Sequence, residues 1–370
     1  MRSIDVAPLV ELCNVGIRDR AFPGAAFAVG TPDAVATGWA GRQLYDPRSR
    51  PIDGRTIWDL ASLSKVVGTT SAALMLHEEG RLELDAPVQS YLPAFEGEGK
   101  DKVSVRDLLL HRSGLPAYRN YVNTHSSQEA VRRSIVRERL VYPTGSRTVY
   151  SCIGFVVLQR LVESIAGTSL DRFLNERLFG PLGMRVSSYC PDRSVWPRCA
   201  PTEPPEPWRA KFRTKPIPDS MPYPFIQGEV HDPVAFCQGG VSGNAGVFAS
   251  VQDMAAFGQM LVRNGQGESR QIFCADKLSQ WTRRADSRSS RTLGWAVRTA
   301  SSSSGLRFGP RSYGHTGFTG TSIWVDPDRQ LFAVLLTNRV HPTASNLKIT
   351  DFRIRFHDAV IDVFESSRSR

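Results

Sequence analysis

The apolar positions of this chain change rhythm along its length. Near the N-terminus "VAPLVELCNVGI" spaces them along one face of a helix, and "AAFAVGTPDAVATGWAG" then gives two short apolar runs around a Thr-Pro-Asp turn, which is hairpin chemistry. From Ser62 to about residue 280 the signals are helical or loop-like. "SKVVGTTSAALMLHEEG" ends in a glycine, "SVRDLLLHRSGLP" has Ser104 as a cap and stops at Gly114, and "YSCIGFVVLQRLVESIAG" repeats apolar residues at helical spacing. Strand patterns return in "TLGWAVRTA" and in "SYGHTGFTGTSIWVDPDRQLFAVLLTN", where Asp-Pro-Asp-Arg separates two β-rich runs. "SNLKITDFRIRFHDAVIDVFESS" closes the chain as a helix.

Strands at both ends with helices between them predict an α+β fold: one antiparallel sheet built from both termini, flanked by helices, with an inserted helical region and the active site between them. The sheet region is then discontinuous, residues 1–60 and 285–370, and residues 61–284 form the mainly helical part. Within it, residues 191–235 are rich in proline ("PDRSVWPRCAPTEPPEPWRAKF", "PIPDSMPYPF"), which forbids regular structure and predicts a long excursion over the surface. Such ordered loops often wall a substrate site.

Composition narrows the function classes. With 41% hydrophobic and 22% charged residues over 370 positions, the chain has an ordinary globular balance and enough length for a sizeable core. No run approaches the ~18 apolar residues of a membrane span, and Asp5 and Glu11 interrupt what a signal peptide needs apolar, so the expectation is a cytoplasmic protein with no membrane partner. The six cysteines lack zinc spacing or a C-x-x-C pair, so no metal site and mostly reduced thiols are expected. The net charge of +10 is spread as scattered arginines rather than a basic block, so no nucleic-acid partner is expected.

The chemistry starts from Ser62 and Lys65, three apart in "WDLASLSKVVGTT" and hence on one helix face. A serine hydroxyl needs a group to remove its proton as it attacks and a cation to hold that base ready. By itself Ser-x-x-Lys reads equally as a polar helix start, with Ser62 a cap. Two further segments add to it: Tyr150 directly before an amphipathic helix, and His315, Thr316 and Gly317 on a strand where glycine allows close approach of a ligand backbone.

Together these segments resemble the serine β-lactamase and penicillin-binding protein superfamily, in its class C-like branch that also holds esterases and D-amino acid peptidases. The likeness spans most of the chain, with "FPGAAFAVG", "LLLHRSGLP", "LFGPLGM", "GGVSGNAGVFASVQDMAAFGQML" and "LGWAV" in family order. It implies Ser62 as the acyl-accepting nucleophile, Lys65 as its hydrogen-bonded cationic neighbour, and Tyr150 in the place of the general base, with no metal or organic cofactor needed. It also implies backbone N–H groups of Ser62 and Phe318 as the oxyanion hole, a donor of this kind contributing about 3–4 kcal/mol in other hydrolases. A free phenol, with a pKa of about 10, serves as a base near neutrality only beside positive charge. Whether Tyr150 or neutral Lys65 takes the proton stays open at this level, and the pair can titrate as a unit.

Two departures from the penicillin-recognising pattern shape the substrate expectation. Cys152 stands where an Asn amide would grip a substrate amide, and a thiol is a weak hydrogen-bonding group. His315 stands where K-T-G has lysine, so a substrate carboxylate loses a fixed counter-charge. Both favour small neutral esters over peptides and β-lactams. Trp295 and Phe318 are expected nearest the acyl pocket, with Tyr118 and Tyr121 weaker choices. His111 reads as a helix-end residue bonded to backbone, and His231–Asp232 as structural or at the pocket rim.

The expected function is that of a serine hydrolase, a carboxylesterase first. A D-stereospecific peptidase or carboxypeptidase, a weak β-lactamase and a penicillin- or ligand-binding protein without turnover are the alternatives. The partner is a small ester or peptide-like molecule, and oligomeric state is not encoded legibly.

Overall fold

The computed structural model describes residues 4–214, 216–218, 221, 223–286 and 289–369. Its strands are β1 (Gly24–Gly30), β2 (Val35–Gly41), β3 (Trp58–Asp59), β4 (Ser188–Tyr189), β5 (Val247–Ala249), β6 (Ala296–Val297), β7 (Tyr313–Thr316), β8 (Ser322–Asp326) and β9 (Leu331–Thr337). The main sheet is antiparallel in the order β2-β1-β9-β8-β7-β6, so the first strand of the chain pairs with the last, Ala28 opposite Val334. The sheet is thus built from both termini, and the expected β1–β2 and β8–β9 hairpins are present.

Alternation along the central strands makes two cores. Ala26, Ala28, Ile323, Val325, Val334 and Leu336 face one of them, whereas Ala25, Phe27, Val29, Trp324, Ala333 and Leu335 face the other. The terminal helices Ala7–Arg18 and Ile349–Ser369 cover the second face through Leu9, Cys13, Phe352, Phe356 and Val360. The first face carries the helix Val251–Val262 and, beyond it, the helical region. A Cβ at Gly258 would lie 2.3 Å from the Phe332 ring, so that helix rests on β9 through a position with no side chain. Residue 284 is therefore not a layer boundary, because part of the 61–284 stretch packs directly on the sheet.

Local signals explain several helix ends. Ser151 Oγ accepts from Gly154 N at 2.9 Å to open the helix Cys152–Ala166, and Gly167, at φ +70°, closes it. Ser104 and Asp107 form a capping box on Val105–Leu109. That helix stops at Leu109 rather than at Gly114, because His111 takes φ +56° and its N–H returns to Leu108 O. In "TLGWAVRTA" only two residues join the sheet, since Leu293 N and Gly294 N bond to Trp281 O and Leu109 O instead.

The proline-rich excursion is held down by its own polar contacts. Arg213 Nε bonds Glu229 Oε1 at 2.7 Å, and Arg209, buried, donates to Val230 O and His231 O at 3.0 and 2.7 Å. It contains short turns at Arg193–Arg198, Arg209–Phe212 and Pro233–Cys237. Positions 215, 219, 220 and 222 lie outside the described residues. The short β3-β5-β4 sheet, absent from the sequence expectation, joins β4, just before this segment, and β5, some way after it, to β3, the strand that precedes Ser62.

Buried histidines set a pH dependence of stability. His357 sits between Phe308 and Phe356, bonds Ser322 Oγ through Nε2 at 3.0 Å, and is pushed down to about 3 by burial and by Arg353. The unfolded chain takes up this proton below pH ~6.5 while the folded chain does not, so stability is full above that pH and is lost as pH falls toward 3. Urea unfolding at pH 7.5 and 5.0 should show His357→Gln flattening the decline by roughly 1.4 kcal/mol per pH unit relative to wild type. An unchanged slope would mean that His357 titrates alike in both states.

Candidate active site

Ser62 is presented by a strained turn. Leaving β3, the chain bonds Leu60 N to Val247 O, and Ala61 then adopts φ +47°, a conformation an L-residue takes at a cost of about 1–3 kcal/mol. Asp59 secures it: one carboxylate oxygen accepts from Ala61 N at 2.8 Å and the other from His231 N at 2.7 Å. Burial raises the Asp59 pKa, against the pull of those two donors. Thr319 and Thr321 donate to Asp59 O and Leu60 O at 2.7 and 2.9 Å, tying the turn to the β7–β8 connection. Ser62 is half-buried between fully buried Ala61 and Leu63.

A π-helical turn, Lys65–Thr70, follows and runs into the helix Ser71–Glu78. Such widened turns recur at functional sites. Lys65 is fully buried, and its ammonium donates to Ser62 Oγ at 3.1 Å, Asn244 O at 2.9 Å and Cys152 Sγ at 3.6 Å. Burial works against its charge, but Cys152, Tyr150 and Asp232 favour the ammonium, and its pKa is held above the ordinary lysine value. Burial keeps Cys152 a thiol although Lys65 pulls the other way.

The Tyr150 ring lies 4.9 Å from Lys65 Nζ and 5.0 Å from the Arg291 guanidinium carbon. His111 packs beneath it, ring centroids 4.6 Å apart, and accepts from Ser151 N through Nδ1 at 3.0 Å, the backbone bond expected of it. His315 is the other ring neighbour at 5.8 Å. Burial first, then Arg291 and Lys65, push both imidazoles well below the usual histidine range. His315 is therefore neutral, with Nδ1 donating to Thr316 O at 2.8 Å.

Glycine at 317 serves the protein's own backbone as well as any ligand. A Cβ there would lie 2.1 Å from Thr321 Oγ1 and 2.4 Å from Leu60 O. The turn that follows leaves Phe318 N without a backbone acceptor among the described residues, a donor available for an oxyanion. Arg339 Nε donates to Phe318 O at 2.7 Å, and Arg353 Nη2 donates to Gly317 O and Thr321 O at 2.6 and 2.9 Å.

Ser62, Tyr150, His315, Thr316, Gly317 and Phe318 line one cleft of 490 Å³. Its other walls include Ser301–Ser303, Arg291, Arg339 and Arg353, with Leu347 just ahead of the last helix and Ile349 and Ile354 within it. A larger depression of 1550 Å³, walled by Glu96, Lys100, Arg112 and Arg137, contains none of the Ser62 cluster. Phe318, 54% exposed, is the aromatic at the mouth, stacked on His231 at 5.7 Å.

Some expected residues sit elsewhere. Trp295 is not in the cleft: it is buried between Phe257 and Tyr313 at 6.5 and 5.3 Å, because the turn at Gly294 points the segment into the core. Tyr121 is buried and donates to Glu138, and Tyr118, partly exposed, is outside the cleft wall. His231 pairs with Glu203 at 2.7 Å rather than with Asp232, which caps a short helix and accepts from Asn244 at 3.0 Å. The three arginines, Asn244 and the aliphatic wall were missed. Only Asn244 had a signal, lying within the family-like "GGVSGNAGVF".

Comparison with known proteins places this architecture. A Salmonella schwarzengrund protein named "Putative D-alanyl-D-alanine carboxypeptidase" is 31% identical over 318 residues, covering 80% of this chain and 72% of that one. The structure of EstCE1, described as a hydrolase with promiscuous acyltransferase activity, superposes with a TM-score of 0.74 at 21% identity, over 96% of this chain and 98% of the other. A class C β-lactamase from Rhodobacter sphaeroides gives 0.70 at 18% identity, over 96% and 98%. At such identities the two structures speak for the fold alone. The family model described as Beta-lactamase matches residues 6–356, and the chain belongs to the Beta-lactamase family of β-lactamase-fold hydrolases.

Proposed function

We propose that this protein is a serine hydrolase that forms an acyl-enzyme at Ser62, with small carboxylic esters as its leading substrates. The observation that carries this reading is the saturated Lys65 ammonium. All three of its N–H donors have acceptors, Ser62 Oγ among them. A lysine held in that state has no lone pair for the Ser62 proton, which leaves Tyr150 as the base. Ser62 Oγ attacks the substrate carbonyl while its proton passes to the Tyr150 oxygen. The carbonyl oxygen takes up the negative charge facing Ser62 N and Phe318 N. Collapse expels the alcohol, which regains a proton through Tyr150, and water then repeats the sequence on the acyl-enzyme.

Amide recognition is the weak point. Cys152 already receives a Lys65 N–H, and as a thiol it offers a poor grip on a substrate amide. The charge argument changes, however. The sequence suggested a cleft lacking a counter-charge for carboxylates; the cleft instead holds Arg291, Arg339 and Arg353, with no Asp or Glu among its lining residues. Esters bearing a carboxylate therefore fit it as well as neutral ones. That cationic wall, with the name carried by the Salmonella relative, supports a second reading: a carboxypeptidase for peptides ending in a D-residue carboxylate.

Side-by-side kcat/KM values for p-nitrophenyl butyrate, nitrocefin and a D-Ala-D-Ala peptide decide between these readings. The ester is expected to be turned over fastest, with Ser62→Ala losing about 10³-fold or more. Faster peptide cleavage would establish the second reading, and ester cleavage surviving in Ser62→Ala would remove both. Cys152→Asn is expected to raise nitrocefin turnover relative to ester turnover by about tenfold, the worth of one hydrogen bond. An unchanged ratio would show that position 152 does not limit amide recognition.

A further inference from the structure

We propose that Arg353, from the last helix, aims and polarises the Phe318 N–H, which makes it a positioning residue for the oxyanion hole rather than a counter-charge for substrate. This rests on the reading of Phe318 N as an oxyanion donor. That N–H belongs to the same peptide unit as the Gly317 carbonyl. A trans peptide is planar with its C=O and N–H pointing in opposite directions, so whatever fixes the Gly317 oxygen also aims the Phe318 hydrogen.

Gly317 O accepts from Arg353 Nη2 at 2.6 Å and from Gly320 N at 3.1 Å. The same Nη2 reaches Thr321 O at 2.9 Å, and that oxygen in turn accepts from Gly317 N at 2.7 Å. One guanidinium nitrogen therefore spans both ends of the turn. On the next peptide unit, Arg339 Nε donates to Phe318 O at 2.7 Å. The peptide units on either side of the Phe318 Cα are thus each held by an arginine. The turn needs this, because Gly317 and Gly320, the latter at φ +111°, give its backbone little stiffness of their own.

The bond to Gly317 O acts on strength as well as direction. A cation bonded to a carbonyl draws electron density through the amide resonance, and the N–H of that unit becomes a better donor. No carboxylate claims Arg353 among the described residues. Burial first, then Arg339, work against its charge, and its Nε is enclosed without a partner among those residues. Enclosing a guanidinium in this way is costly, and its two carbonyl bonds at the oxyanion turn are what offset that cost.

Kinetics with two esters and one transition-state mimic test this. The esters are p-nitrophenyl butyrate and mono-p-nitrophenyl glutarate, which carries a carboxylate. The mimic is butylboronic acid, which adds to a nucleophilic serine as a tetrahedral anion with an oxygen in the oxyanion hole. Arg353→Met is expected to lower kcat for both esters by the same factor, about 10–100-fold, with KM within about threefold of wild type. Ki for the boronic acid should rise by that factor, and Ki, unlike kcat, does not depend on the fraction of protein folded. Arg353→Lys, which returns a cation to the turn, should recover part of both. A loss confined to the glutarate ester and expressed in KM would make Arg353 a substrate counter-charge and overturn the proposal. So would a fall in kcat with Ki unchanged, the mark of lost fold alone. Ester turnover surviving Ser62→Ala, or a boronic acid without effect on the wild type, would instead remove the reading of the site, and this inference with it.

Discussion

The site depends on one buried ammonium. Lys65 is fully enclosed, and an isolated charge there would carry a heavy desolvation cost unless hydrogen-bonded and paired. Its three bonds go to three different segments: Ser62 in its own turn, Cys152 at the start of the helix Cys152–Ala166, and Asn244 in the glycine-rich loop before β5. Satisfying Lys65 therefore fixes Ser62, the Tyr150 segment and the loop carrying Asp232's partner in one arrangement. In the proposed mechanism the same bonds set the role of Lys65, since an ammonium with every donor engaged stabilises charge rather than accepting a proton.

The sheet does the complementary work from the other side. Pairing β1 with β9 joins the two ends of the chain, and β7 and β8 then deliver His315 and the Gly317–Gly320 turn to the edge of the cleft. The turn is held by Thr319 and Thr321 against the backbone of Asp59 and Leu60, and by Arg353 from the last helix. The turn that presents Ser62 and the turn that carries Phe318 N are thus tied by the same hydrogen bonds. The strained Ala61 and the oxyanion turn are over-determined together, which is the condition under which backbone strain persists.

Local signals were legible in the sequence and long-range ones were not. The β1–β2 hairpin, the Ser151 cap, the Gly167 stop and the Asp-Pro-Asp-Arg turn each follow from residues within a few positions of one another. The β3-β5-β4 sheet was invisible because strands of two or three residues show no period. Ser62, Lys65 and Tyr150 could be named because their neighbours carry a recognisable order. Arg291 sits in no pattern at all, and its place beside Tyr150 is set by a turn that returns Gly294 N to Leu109 O. Trp295 failed for the same reason: the family-like "LGWAV" gave its position in the chain, but not the direction in which the turn aims it.

The central claim is a covalent intermediate on Ser62. Intact-mass spectrometry of acid-quenched reactions with an activated butyrate ester, followed by peptide mapping, tests it most directly. The account requires a butyryl adduct on the Ser62 peptide of the wild type and none on Ser62→Ala. Steady ester turnover with no adduct, undiminished in Ser62→Ala, would contradict it.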